Sequence, residues 1–274
     1  MKPRRISIVV TILLLAMVSI VMIFPFYWML ISSFKPIGRI FTVPLDVFPR
    51  EFTLASYKKL ITQTPFLRWY FNSVLITAAY TLLALFFSTL AGFGFAKYDF
   101  KGKNVLLVIV LGSMMIPLHS LVIPLFMLLI RLGWVNTYHG VVIPFAANAF
   151  GIFYISQYLT TVPSDLIDAG RIDGCSEFGI YRMIILPLLK PALGVLTIYF
   201  AMTSWNWFLW PLVVMRAENL FPLNVGLSTF ISDYRQRYDE LMAASVLCVI
   251  PIIALFLSMQ KQFVSGLTAG SVKQ

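Results

Sequence analysis

Six long stretches without a single Asp, Glu, Lys or Arg constrain this chain more than any other feature. Each supplies the roughly 20 apolar residues that an α-helix needs to cross about 30 Å of hydrocarbon. They are residues 6–34, 69–96, 104–130, 132–164, 191–215 and 241–260. A backbone in lipid must satisfy its own hydrogen bonds, and these runs are too long and too uniformly apolar for the alternating strands of a barrel. The sequence therefore predicts an all-α polytopic membrane protein with six transmembrane helices.

Composition agrees with a membrane protein and gives a hint of orientation. The chain is 59% hydrophobic and 12% charged, and its mean hydropathy of +0.87 lies outside the range of soluble domains. Six spans place both termini on one side of the membrane. Lys2, Arg4 and Arg5 cluster before the first run, whereas Lys35 and Arg39 are sparser after it, which favours a cytoplasmic N-terminus.

Several kinds of chemistry are missing from the sequence. The phosphate-binding pattern G-x-x-x-x-G-K-[ST] does not occur, so we expect no ATPase activity and no cofactor in this chain. His119 and His139 are not at metal-ligand spacing, so no metal site is expected. The net charge of +10 indicates contact with anionic lipid rather than nucleic acid in a polytopic protein. Charges are absent from the cores of the six runs, which argues against an ion-coupled secondary transporter without excluding one.

The loops between the runs suggest one transmembrane domain over residues 1–274. With the N-terminus inside, residues 35–68 form an outer lobe rich in proline, with a possible amphipathic helix at 54–61. Residues 161–190 form the longest inner loop. No internal repeat or linker interrupts the chain.

The inner loop carries an unusual polar interval, "DAGRIDGCSEFGIYRMIILP", at residues 168–187. Acidic residues in the first turns favour a short helix ending near Asp173, and Gly174 is a suitable stop. Ser176 is a suitable cap for a second helix. Small residues would let the first helix approach another surface closely, and the charged side chains offer paired contacts. The candidate docking residues are Asp168, Ala169, Gly170, Arg171, Asp173, Gly174 and Glu177. The alternative is an ordinary solvated loop.

The order of residues in this interval resembles the permeases of ATP-binding-cassette (ABC) importers. Their loop has the pattern E-A-A, three residues, G, nine residues, I-x-L-P. The segment 168–170, Gly174 and the segment 184–187 reproduce every spacing. Asp168 replaces Glu and keeps its charge, whereas Gly170 replaces Ala and lowers helix propensity by roughly 1 kcal/mol.

Further segments are similar to the carbohydrate branch of that family, which includes the maltose-type permeases. They are "MMIP" at 114–117, "LGWVNTYHGVVIP" at 132–144, "WNWFLWPL" at 205–212 and "VSGLTAGSVK" at 264–273. The resemblance implies the type I ABC importer permease fold with six helices in the inner membrane of a bacterium or archaeon. The implied partners are a second, non-identical permease, two ATPase subunits that hold ATP and Mg²⁺, an extracytoplasmic sugar-binding protein and a carbohydrate substrate. It also implies that the 161–190 loop transmits the movement of the ATPases to the membrane helices.

A sugar pathway needs hydrogen-bonding groups and aromatic faces rather than a fixed counter-charge. The fifth run supplies Ser204, Trp205 and Asn206 together, and the fourth supplies Asn148. These residues either line the pathway or serve as interfacial aromatics and links between helices. For the whole chain, an ion-coupled secondary transporter and a non-transporting membrane scaffold stay open as alternatives to the importer subunit.

Overall fold

The computed structural model describes residues 2–49, 51–232 and 235–269, with side chains at 8–49, 51–231 and 237–260. Helices dominate these ranges. They are α1 (Lys2–Ser32), α2 (Ala55–Gln63), α3 (Phe66–Lys97), α4 (Lys103–Ser113), α5 (Leu118–Leu132), α6 (Tyr138–Val142), α7 (Ala149–Thr160), α8 (Asp165–Ile172), α9 (Glu177–Ile180), α10 (Leu186–Leu188), α11 (Lys190–Trp205), α12 (Leu209–Val214), α13 (Leu223–Ser228) and α14 (Tyr238–Ala269). A π-helical stretch, Tyr181–Ile185, joins α9 to α10. The tail segment quoted above ends at residues 270–273, outside the described residues.

Three described helices are long and apolar enough to cross a membrane by themselves: Ile8–Ser32, Phe66–Lys97 and Tyr238–Gln260. Three bent pairs pass the same test together: α4 with α5, α6 and its extension to Phe145 with α7, and Glu177–Leu188 with α11. Their bends are 103°, 41° and 79°. Counted as one span each, the pairs bring the total to six, in agreement with the charge-free runs.

Prolines lie at or beside each of these bends. Pro117 precedes the first residue of α5, Pro144 lies in the 3₁₀ turn that extends α6, and Pro187 and Pro191 flank the junction between α10 and α11. A proline lacks the N–H that would continue the helical ladder, and its ring clashes with the preceding turn. The apolar runs therefore appear as broken helices rather than straight rods, a feature that a hydropathy pattern does not show.

The chain divides into two units by its internal contacts. The first comprises Met1–Leu67 and Gly226–Pro251. In it, residues after α1 and the helix α2 contact the start of α14, where Lys59 Nζ lies 3.6 Å from the buried carboxylate of Asp239. Two-residue strands pair antiparallel beside them, with Ile231 opposite Gln236 and Ser232 opposite Arg235. The amphipathic helix expected near residues 54–61 is α2.

The second unit comprises Arg68–Val225 and Ile252–Gln274. Its core lies among α3, α7 and α11, where Tyr80, Ile155 and Phe200 are almost fully buried. Rings of Tyr80 and Phe200 meet edge to face with centroids 5.8 Å apart. This core positions two further regions. The polar loop directly precedes α11, and the fifth charge-free run begins in α11.

Candidate functional site

The polar loop folds as a helix, a tight turn and a second helix, as its sequence predicts. Helix α8 ends at Ile172, and Gly174 has a φ of +77°, in the left-handed region that favours glycine. The N–H of Gly174 donates to Arg171 O at 3.0 Å and that of Cys175 to Gly170 O at 2.9 Å. These two bonds form a Schellman motif, which satisfies carbonyls at the helix end. Ser176 then caps α9 by accepting a hydrogen bond from the N–H of Gly179 at 3.1 Å.

A charged cluster crosses the turn. The Nε of Arg171 donates to Glu177 Oε1 at 2.8 Å, and its NH1 donates to Asp168 Oδ1 at 3.1 Å. The hydroxyl of Tyr98, which follows α3, donates to Glu177, and the guanidinium of Arg171 lies 5.9 Å from the centre of the Tyr98 ring. The cluster therefore ties both helices of the loop to the turn at residues 97–103. Asp173 lies exposed beside it.

The electrostatics of the cluster follow from these contacts. The hydrogen bond from Arg171 to Glu177 raises the pKa of the arginine above its usual range. Burial and the bond to Glu177 raise the pKa of Tyr98. Arg171 and Tyr98 therefore keep their protons at neutral pH and remain donors to the carboxylate.

The two small residues of α8, Ala169 and Gly170, differ in their burial. Ala169 is exposed, but Gly170 is buried and faces the chain's own apolar run. A Cβ added to Gly170 would lie 2.8 Å from Ile184 Cδ1 and 3.2 Å from Ile180 Cγ1. The expectation that both residues leave room for another surface needs correction: at Gly170 the room is taken by packing within the loop.

The exposed face of the loop includes large apolar side chains that sequence reasoning missed. Ile172 is 86% exposed and Phe178 is 62% exposed, next to the charged cluster. Their signal in the sequence was apolar residues placed inside an otherwise polar interval. Tyr181 anchors the loop to α3, because its hydroxyl lies 2.8 Å from Thr89 Oγ1.

The residues predicted to line a pathway separate in space. Ser204 is buried, and its hydroxyl donates to Phe200 O at 2.9 Å within its own helix. Trp205 is also buried and meets the ring of Tyr70 edge to face at 5.8 Å. Asn148 caps α7 by accepting the Gly151 N–H at 3.0 Å, and it donates to the Tyr80 hydroxyl at 3.2 Å. Of the four, Asn206 is the residue that borders a groove.

This groove has a volume of about 460 Å³ and lies along one face of α11. That size is within the range of about 300–1,000 Å³ common for small-molecule sites. Phe150, Val195, Ile198, Tyr199, Met202, Thr203 and Asn206 line it. The lining residues of α11 recur at helical spacing, so a search for one helix face could have found Tyr199 and Met202.

The groove ends where the fifth apolar run leaves the helical conformation. Helix α11 ends at Trp205, and α12 begins at Leu209. Asn206 Nδ2 donates to Met202 O at 2.8 Å, a carbonyl that also accepts the backbone N–H of Asn206 at 3.2 Å. Trp207 in the gap packs on Tyr80, with ring centroids 4.6 Å apart. Non-helical backbone within a membrane run is tolerated where protein covers it or where it lines a cavity. In this gap Trp207 is partly covered by protein, and Asn206 lines the groove.

Potential metal ligands do not gather anywhere in the described part of the chain. No group of three or more His, Cys, Asp or Glu side chains there is placed to hold a metal ion.

Comparison with known proteins identifies the family. Residues 84–268 match the model of the binding-protein-dependent transport system inner membrane component. The chain belongs to this family. The resemblance to ABC importer permeases seen in the sequence is thereby confirmed, and the chain is an integral membrane component of a transport system.

Relatives within this family cover nearly the full chain. The arabinooligosaccharides transport system permease protein AraQ of Bacillus subtilis is 41% identical over 94% of this chain and 92% of its own. The trehalose/maltose transport system permease protein MalG of Thermococcus litoralis is 32% identical over 98% of this chain and 97% of its own.

A solved structure shows the same fold. It belongs to a bacterial ABC transporter that imports the acidic polysaccharide alginate, and it covers 96% of this chain and 98% of its own with a TM-score of 0.88 at 24% identity. The ABC importer permease fold predicted from the sequence is confirmed.

Proposed function

We propose that this chain is the membrane-spanning subunit of an ATP-driven oligosaccharide importer and forms half of its translocation pathway. The single observation that carries the proposal is the 41% identity to an arabinooligosaccharide permease over nearly the whole of both chains. Residues 1–274 act in this proposal as one transmembrane permease domain. Arabino-oligosaccharides are the first substrates to test.

The loop at 161–190 is the part that receives the motion of the ATPases. Three features support this role: the spacing of the family pattern, the Schellman turn at Gly174, and the exposed surface that combines charge with Ile172 and Phe178. A surface with a desolvated apolar centre and a charged rim is typical of a protein interface. Ala169, Arg171, Asp168, Asp173 and Glu177 lie on or beside this surface, whereas Gly170 and Gly174 shape it.

The groove on α11 is the candidate for this subunit's part of the sugar path. Tyr199 is 41% exposed and Met202 is 39% exposed along it, and Thr203 and Asn206 add polar groups. An aromatic face next to hydroxyl and amide groups suits a neutral sugar ring. In this proposal Ser204, Trp205 and Asn148 have structural roles, since the first two are buried and the third caps α7.

The importer as a whole needs further subunits. They are a second, non-identical permease, two ATPases that bind ATP and Mg²⁺, and a binding protein that delivers the sugar. A solved alginate importer of the same fold was crystallised with a pentasaccharide-bound periplasmic protein, which supports the last of these. The chain would lie in the inner membrane with both termini in the cytoplasm, where the loop at 161–190 also lies.

Reconstitution tests this function directly. The chain is purified with its co-expressed partners, placed in proteoliposomes, and supplied with labelled arabino-oligosaccharide, maltodextrin or alginate oligosaccharide. The expected result is uptake that needs both ATP inside and a binding protein outside. Uptake driven by an ion gradient without ATP would support a secondary transporter instead. A complete lack of uptake, with all subunits present and every sugar tried, would favour the scaffold alternative.

A further inference from the structure

The segment that follows α1 combines a buried lysine with several exposed large apolar side chains. Lys35 is only 1% exposed. Its Nζ donates to Asp46 O and lies 4.3 Å from the centre of the Trp28 ring. A cation this well covered is rare unless it has partners, and here a carbonyl and an aromatic face supply them.

Large apolar side chains of the same segment point outward. We name residues 41–49 and 51–54 the apolar loop. Its exposed members are Phe41 (59% exposed), Val43 (97%), Leu45 (57%), Val47 (44%), Phe48 (75%), Phe52 (67%) and Leu54 (65%). Single exposed apolar residues are normal on any protein, but a contiguous set of this size marks a surface that meets something other than water.

The apolar loop folds back along the end of α1. The Tyr27 hydroxyl donates to Val47 O at 3.0 Å, and the Tyr27 and Phe48 rings meet edge to face at 6.4 Å. Phe34 and Phe52 stack with centroids 4.6 Å apart. Tyr27 precedes the last residue of α1 by five positions, or about 7 Å at 1.5 Å per residue. The loop therefore lies beside the last turns of the helix instead of projecting away from its end.

The length of α1 places Tyr27, and the part of the apolar loop that contacts it, near the edge of the hydrocarbon. Its apolar span, Ile8–Ser32, has 25 residues and a mean hydropathy of 2.9. The apolar run begins at Ile6, directly after Arg5, so roughly 20 residues cross the hydrocarbon and end within one helical turn of Tyr27 and Trp28. Tyrosine and tryptophan are enriched at this depth. The same segment also carries an exposed ion pair, in which Arg39 NH2 lies 3.9 Å from Glu51 Oε1.

We propose that the apolar loop is a membrane-inserted segment, with Val43 and Phe48 among the acyl chains of the leaflet at the C-terminal end of α1. Continuity with a lipid-crossing helix selects lipid as the occupant, because Tyr27 binds the loop at the depth where the hydrocarbon ends. Covering Lys35 keeps that cation away from the acyl chains, while the outward apolar side chains gain from leaving water. The loop would then hold α1 at a fixed depth. This inference rests on the span and not on the proposed transport function.

Spin labels with two collision partners test the insertion. Cys175→Ser and Cys248→Ala give a background without cysteine, into which Val43→Cys or Phe48→Cys is introduced. Val18→Cys, in the middle of α1, serves as the lipid reference, and Lys58→Cys, exposed on α2, serves as the water reference. The labelled full chain is studied in nanodiscs together with the subunits that co-purify with it. Oxygen concentrates in hydrocarbon, whereas a nickel chelate stays in water.

The three possible outcomes are distinct. Insertion predicts that labels at residues 43 and 48 resemble residue 18, with strong relaxation by oxygen and several-fold weaker relaxation by the chelate than residue 58. Strong relaxation by the chelate would show that the loop faces water and would overturn the proposal. Weak relaxation by both reagents would show that another protein surface covers the loop, which would also overturn it.

Discussion

The polar loop at 168–187 and the polar stretch at 203–207 differ in how their side chains are used. In the loop, charged residues on both sides of a turn meet each other and leave an exposed surface of mixed chemistry. In the stretch, neighbouring residues of one helix point in different directions, so Asn206 borders the groove while Ser204 and Trp205 are buried. The difference teaches that a turn motif can be interpreted residue by residue, whereas a cluster in a helix must first be divided by face.

The largest effect is expected from Gly174→Val, which tests the turn. A Cβ at this position would meet no atom within 4 Å, so the penalty is backbone strain at a φ of +77° and not a clash. Such strain costs about 1–3 kcal/mol, enough to shift a docking equilibrium about tenfold or more. The permease should still insert, but ATPases should co-purify poorly or hydrolyse ATP without transport. Quantified subunit stoichiometry and binding-protein-stimulated hydrolysis measure this.

The matched control is Gly174→Asn, because asparagine tolerates positive φ better than other side chains. It should recover most of the coupling. If asparagine is as damaging as valine, a partner surface rather than the backbone angle requires glycine. Wild-type stoichiometry and uptake in the valine variant would refute the role of the loop as the coupling element.

A second prediction separates the faces of α11. Asn206→Leu should strongly reduce sugar uptake at normal complex yield, because it replaces an amide at the groove with an apolar group of similar bulk. Ser204→Ala should leave uptake close to wild type, since its hydroxyl bonds only within its own helix among the contacts described. Uptake per unit of purified complex is the measurement. Equal losses in both variants would place the pathway elsewhere.

Asn148 offers a test of capping against substrate contact. Asn148→Ala removes the acceptor for the Gly151 N–H, and lost caps cost about 0.5–2 kcal/mol. The thermal stability of the complex should fall, whereas Asn148→Ser should restore it with normal uptake. A serine variant that is stable yet inactive would return Asn148 to the group of substrate contacts.

The smallest effect is expected from Tyr98→Phe, which removes one hydroxyl donor to Glu177 but keeps the ring near Arg171. The loop should remain folded, because its turn and cap do not depend on this bond. Sugar transported per ATP hydrolysed should fall modestly. The control is Tyr57→Phe, which removes a hydroxyl that contacts Ser33 and no part of the polar loop. This variant should keep the wild-type ratio. An identical ratio in both variants would show that Tyr98 does not position the loop.

Much of the loop could be predicted from sequence, because its structure is decided by neighbours in the chain. Gly174 adopts a positive φ at little cost, and Ser176 caps α9 by accepting the N–H of the residue three positions later. Both effects act over a few residues. The same locality explains why the charge-free runs predicted six spans. In lipid a continuous apolar segment has few alternatives to a helix.

Only the tertiary structure decided which side chains serve the surface and which serve the core. Gly170 is packed against Ile180 and Ile184, and Lys35 is covered by Trp28 and the Asp46 carbonyl while Phe48 faces outward. Membrane helices carry apolar residues on all faces, so hydropathy does not reveal which face meets protein, lipid or a cavity. The sequence by itself determined the spans, the turn and the family. Packing between segments distant in the chain determined the groove, the break after Trp205 and the exposure of the apolar loop.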